Sequence, residues 1–198
     1  MPITALFGGT FNPFHIGHYE ILKALNADEE IGKILLMPDK IPPHKSSSNL
    51  ISDENRIEMC KIAANDFEKV ELCLIEFERE GKSYTFDTVC ELIKKYPDTK
   101  FSFVMGGDML VYFPNWYKAE ELMKMMDFIV FKRLDTDELE FSKSVEAFRK
   151  KGMNIKVMEE KIPLVSSTEI RNDFLNSNGL LPKKIYEFLK EREGYARY

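Results

Sequence analysis

Two histidines three residues apart, His15 and His18, close the stretch Gly8-Gly9-Thr10-Phe11-Asn12-Pro13-Phe14-His15-Ile16-Gly17-His18. Side chains three apart share one face of a helix, so both imidazoles can grip one polyphosphate. Gly8 and Gly9 let the main chain turn sharply and come close to a ligand. Pro13 fixes the approach to the helix, and Gly17 leaves room for a flat ring such as a purine. A plain turn before a helix with two surface histidines explains each residue singly. It does not explain two glycines, Thr10, a proline and both histidines in one order.

Other stretches carry groups of similar use. In Ser166-Ser167-Thr168-Glu169-Ile170-Arg171, hydroxyls at a helix start with an arginine one turn on make an anion site. The same residues also read as a capped helix with a surface arginine, Ser166 and Glu169 forming the box. Met105-Gly106-Gly107-Asp108 is a second glycine pair at a strand end. Asp108 accepts only, which suits ribose hydroxyls, or it caps the next turn. Ile41-Pro42-Pro43-His44-Lys45 sets a cationic pair beside a stiff Pro-Pro, for a phosphate or for solvent. Ser83-Tyr84-Thr85-Phe86-Asp87-Thr88 opens a helix that Ser83 or Thr85 can cap, and its end offers N–H groups to an anion. Trp116, the only tryptophan, sits in Pro114-Asn115-Trp116-Tyr117 outside any apolar run, which favours an exposed or ligand-facing place over the core. Arg133 ends a strand and can reach the same region.

These groups need a frame, and the sequence supplies one. Strands are expected at Ile3–Phe7, Lys33–Met37, Val70–Phe77, Phe101–Met105, Phe128–Phe131 and Ile155–Met158. Helices are expected near 19–25, from Ser52, over 85–96, 118–126 and 144–151, and in two short closing pieces from Ser166 and Pro182. Such alternation predicts an α/β fold, a Rossmann-like doubly wound parallel sheet flanked by helices, with a small C-terminal helical segment over about 163–198. In that fold ligands sit beyond the carboxyl ends of strands where the strand order reverses. Both glycine pairs follow strands, so they are expected side by side at that point.

Composition narrows the partners. The 198 residues suit one domain spanning 1–198, and a net charge of -5 favours a small-molecule substrate over duplex nucleic acid. No long apolar span or cleavable leader is read, so a cytoplasmic protein without membrane contact is expected. Cys60, Cys73 and Cys90 are odd in number and lack a C-x-x-C pair, which predicts buried free thiols. No carboxylate cluster marks a protein-held metal. A homo-oligomer is left open.

The stretch from Gly8 to His18 resembles the signature of nucleotidyltransferases with a GxFxPxHxGH motif, and within them bacterial nicotinate-mononucleotide adenylyltransferase. The later motifs match in order, so the likeness covers nearly the whole chain. Asn12 stands where the family often has Asp. The resemblance implies adenylyl transfer from ATP to nicotinate mononucleotide, giving nicotinate adenine dinucleotide and pyrophosphate. It implies ATP contacts from Gly8, Gly9, Thr10, Phe11, His15, Gly17, His18, Gly106, Asp108, Ser166, Ser167, Thr168 and Arg171. His15, His18 and Arg171 would act on the charge of the leaving pyrophosphate, helped by Mg²⁺ held mainly by ATP phosphates. Nicotinate mononucleotide would meet His44, Lys45, Tyr84, Thr85, Trp116, Tyr117 and Arg133. In the family the pyridine ring stacks on the tryptophan, and the next residue's backbone helps bind the carboxylate. Residue types leave the amide form of the acceptor open. Other phosphate acceptors, a synthetase fragment and a nucleotide sensor without turnover fit fewer of these motifs.

Overall fold

The computed structural model describes residues 2–40, 51–79, 81, 83–134 and 137–192. Six strands form one sheet: β1 (Ile3–Gly9), β2 (Ile31–Pro38), β3 (Val70–Leu72), β4 (Phe101–Gly106), β5 (Asp127–Arg133) and β6 (Ile155–Ile162). Their order is β3-β2-β1-β4-β5-β6, and every pairing is parallel. The chain starts in the middle, builds outward to β3, then crosses to β4 and builds the other way. The reversal therefore falls between β1 and β4, which pair from Thr4↔Phe101 to Leu6↔Phe103. The two glycine pairs sit at the ends of these neighbouring strands, as their positions in the sequence predict.

Helices cover both faces: α1 (Ile16–Ala27), α2 (Asp53–Ala64), α3 (Thr85–Lys95), α4 (Gly107–Tyr112), α5 (Ala119–Met125), α6 (Glu138–Lys150), α7 (Ser167–Asn172) and α8 (Lys183–Lys190). Alternate side chains of each strand point to opposite faces. Ala5, Phe7, Ile34, Leu36 and Val104 join the core beneath α1, α2, α7 and α8. Leu6, Leu35, Met37, Phe103 and Met105 join the one beneath α3 to α6. Burial on both faces is why these strands read as continuous apolar runs rather than as alternating ones.

Several boundaries differ from expectation. The third strand stops at Leu72, and Ile75–Glu78 forms a 3₁₀ turn. Cys73 N–H still reaches Leu36 O, at 2.9 Å, but the chain then leaves this sheet edge and buries Ile75 from the turn. The helix expected from 144 begins at Glu138, because Asp137 caps it by accepting from Leu139 and Glu140 N–H at 2.9 Å each. The last strand runs on to Ile162, four residues past its expected end. Pro182 is the residue before α8 rather than its first residue. Of the three free thiols only Cys60 is fully buried, and burial pushes its pKa up; Cys73 and Cys90 are half-buried.

Candidate active site

The carboxyl ends of β1 and β4 open into a cleft of about 770 Å³. Its floor is the turn after β1. Gly8, Gly9 and Thr10 lie on the wall, followed by His15, Gly17 and His18 from the start of α1. The helix begins at Ile16 with His15 as the capping residue. The two imidazoles stack, centroids 3.6 Å apart and planes 18° apart, and His15 N–H donates to His18 Nδ1 at 3.2 Å. That bond occupies Nδ1 of His18 as an acceptor, so a neutral ring carries its proton on Nε2. His15 is 7% exposed and its Nδ1 is buried without a hydrogen-bond partner among the described residues. Burial, and then the nearby Arg133 guanidinium, lower its pKa to about 4. His15 is thus held neutral near pH 7, and the Arg133 and Arg171 guanidinium groups bring positive charge to the cleft. Gly17 lines the cleft and has a second use beside the expected one. A Cβ there would lie 3.1 Å from the His15 ring, so its bareness makes room for that imidazole.

The Phe11 side chain turns away from the cleft, so any contact it makes there falls to its backbone. Its side chain is 2% exposed and lies off the cleft wall. It meets His18 edge-on, with centroids 4.9 Å apart, and packs between Phe7 and Phe14. An apolar ring after a sharp turn is drawn into the core, where it supports His18 from behind.

The second motif closes on the first across more than 150 residues of sequence. Ser166 caps α7 by accepting from Thr168 N–H at 3.2 Å, one residue earlier than the expected pairing with Glu169. Ser167 Oγ donates to Pro13 O at 3.1 Å. Arg171 donates from Nη1 to Asn12 O at 2.6 Å and from Nη2 to Thr168 Oγ1 at 3.0 Å. Asn12 also accepts from Ile51 N–H through Oδ1, at 2.9 Å. Ser166, Ser167, Thr168 and Arg171 all face the cleft.

The opposite wall comes from β4, β5, α3 and the turn before α5. Gly106 and Asp108 lead into α4, where a Cβ on Gly107 would lie 2.7 Å from the Phe141 ring. Asp108 pairs with Arg133 at 3.2 Å, and both line the cleft. The first residue of α3 is Thr85, preceded by Tyr84, and no side chain caps it. Neither Ser83 nor Thr85 therefore performs the expected capping, and the helix start keeps its N–H groups for other acceptors. Trp116 is half-buried on the wall, its ring edge-on to Phe103 at 5.5 Å. Tyr117 is exposed and lies 5.0 Å from the Tyr84 ring. Lys118 follows in a left-handed conformation, φ 54, with its ammonium 4.4 Å over Phe86. His44 and Lys45 lie outside the described residues.

Comparison with known proteins agrees with this geometry. Residues 6–173 match the cytidylyltransferase-like family. A Listeria innocua protein described as a probable nicotinate-nucleotide adenylyltransferase is 35% identical over 194 residues, covering 97% of this chain and 96% of its own. The chain belongs to this family. A Lactococcus lactis member with the same description is 33% identical over 97% of this chain and 94% of its own. The fold matches that of a Plasmodium falciparum nicotinic acid mononucleotide adenylyltransferase solved with NaAD. That match has a TM-score of 0.80 and 20% identity, and covers 100% of this chain and 99% of the other.

Three residues escaped the sequence reading. Asp39, just past β2, accepts from Thr10 Oγ1 at 3.2 Å and faces the cleft. Glu76 is 6% exposed, lines the cleft and accepts from Thr88 Oγ1 at 2.8 Å. Arg56 is wholly buried on α2. A charged residue four before Cys60 and seven before Ala63 lies on their buried helix face, and that spacing was the available signal for Arg56.

Proposed function

We propose that the protein transfers the adenylyl group of ATP to nicotinate mononucleotide. A 5′-phosphate oxygen of the mononucleotide attacks the α-phosphorus. The bond from that phosphorus to the bridging oxygen breaks, and pyrophosphate leaves with the electron pair. The attacking phosphate is already anionic, so no general base is required. What the chain must supply is alignment and hydrogen-bond donors for charge growing on the leaving group. His18 suits the second task as an Nε2–H donor, and Arg171 supplies positive charge with a directed fork.

One observation carries the reading: Ser167 and Arg171 are bonded to Pro13 and Asn12, so both phosphate-binding motifs face one cleft at the sheet's reversal. The triphosphate then lies along the turn after β1, between α1 and α7, with Asp108 beside its ribose. The pyridine ring lies against Trp116, and its carboxylate faces the uncapped start of α3 at Tyr84 and Thr85 and the Tyr117 backbone. Arg133 exchanges Asp108 for a substrate anion.

Mg²⁺ enters this scheme with ATP. The cleft carboxylates Asp39, Glu76 and Asp108 each already hold a protein partner. Among the described residues no three His, Cys, Asp or Glu side chains gather as a cage. Phosphate oxygens and water would be the main donors to Mg²⁺, and the ion would there offset charge on the triphosphate. No described helix is long and apolar enough to cross a membrane.

Pyrophosphate release from ATP, measured with nicotinate mononucleotide, nicotinamide mononucleotide and pantetheine phosphate in turn, tests the assignment. Release is expected with the first and strongly favoured over the other two. No release with either pyridine mononucleotide would contradict it.

A further inference from the structure

Arg56 is among the largest side chains that the fold encloses completely, with a relative exposure of 0%. It stands on the first turns of α2, whose N-terminus is capped by Ser52. Nη1 donates to Thr10 O at 2.9 Å and to Asp39 O at 2.6 Å. Nη2 donates to Lys40 O at 3.3 Å and to Asp53 Oδ1 at 2.6 Å. One planar group therefore gathers a carbonyl of the turn after β1, two carbonyls of the chain leaving β2, and its own helix.

Only one of those acceptors, Asp53, is charged, and its side chain is 48% exposed. Enclosing a guanidinium on such terms is costly, and an apolar side chain of similar volume would fill the space at lower cost. An apolar side chain would not fix the direction of three carbonyls at once, which the guanidinium fork does.

The Thr10 carbonyl is the one nearest the proposed chemistry. A trans peptide is planar, with its N–H opposite its C=O. Drawing Thr10 O towards α2 turns Phe11 N–H away from it. Phe11 has φ 47, a region that a bulky L residue occupies only at a cost. The turn is laced to the end of β2 twice more, by Asp39 N–H to Gly9 O at 2.9 Å and Thr10 Oγ1 to Asp39 Oδ2 at 3.2 Å. Gly9, Thr10 and Asp39 face the cleft, whereas Arg56 lies behind them.

We infer that Arg56 is a positioning residue for adenylyl transfer: without touching substrate, its fork sets the Thr10–Phe11 peptide against which the triphosphate is aligned. The inference rests on the function proposed above. Arg56→Met removes charge and donors at similar volume, and Arg56→Lys keeps the charge but loses the fork. Initial rates with ATP and nicotinate mononucleotide are measured well below each variant's thermal midpoint. Both variants are expected to lose kcat by about tenfold or more, with KM for the mononucleotide within about twofold of wild type, as a misaligned reactant predicts. The lysine variant is expected to be no faster than the methionine variant even where it is more stable.

A folded Arg56→Met protein with the wild-type kcat would overturn the inference. So would failure of both variants to fold, which would make Arg56 a requirement of the fold alone. A wild-type enzyme that releases no pyrophosphate would instead overturn the proposed function, so the two failures are distinguishable.

Discussion

Replacing His15 with asparagine should make the protein's stability less sensitive to acid. The His15 imidazole has a folded pKa of about 4, lowered first by burial and then by Arg133, against 6.5 in the unfolded chain. Between those values the unfolded state takes up a proton that the folded state refuses. Stability from this group is therefore intact above about pH 6.5, falls as the pH drops, and levels off below about pH 4. At pH 5 the difference in proton affinity amounts to about 2 kcal/mol, and the full shift to about 3 kcal/mol. Other titrating groups contribute equally to wild type and variant when they are distant from the site. Urea unfolding at pH 7.5 and pH 5 gives the comparison. Wild type should lose about 2 kcal/mol more than His15→Asn over that interval. Parallel losses in the two proteins would show that His15 titrates normally and is not held neutral by burial.

Other substitutions separate the parts of the site. His18→Ala should lower kcat on the order of a hundredfold or more, as loss of one preorganised donor does elsewhere, measured by pyrophosphate release. Trp116→Ala should raise KM for nicotinate mononucleotide about tenfold and leave KM for ATP nearly unchanged, because the ring stands on the wall away from α1. Gly107→Ala brings a Cβ within 2.7 Å of the Phe141 ring, so its thermal midpoint should fall by an amount corresponding to about 1–3 kcal/mol.

The sheet and its reversal point were legible because the central strands β1, β2, β4 and β5 carry apolar runs, with helical patterns between the strands. The residues from Gly8 to His18 pointed to a polyphosphate site through residue type and spacing, whereas those from Ser166 to Arg171 read equally as an anion site or a capped helix until the family resemblance was added. Their bonding to one another, through Arg171 to Asn12 and Ser167 to Pro13, is a long-range fact that no local pattern encodes. The three-residue spacing of His15 and His18 placed both on one side of a turn. It could not say that one ring would stack on the other and be shut away from water. Phe11 sits inside the motif yet faces the core, since the side-chain direction of a residue that is itself left-handed is not a matter of period. Arg56 and Glu76 were missed for a common reason. A charged residue on an amphipathic stretch reads as solvated, and only assembled neighbours reveal carbonyls or a hydroxyl waiting for it.

The account stands or falls on where the triphosphate lies. A crystal structure with a non-hydrolysable ATP analogue answers this directly. The phosphates should occupy the turn between Gly9 and His18, within hydrogen-bond distance of His18 Nε2 and the Arg171 guanidinium. An analogue bound at another surface, with both groups unchanged, would contradict the account.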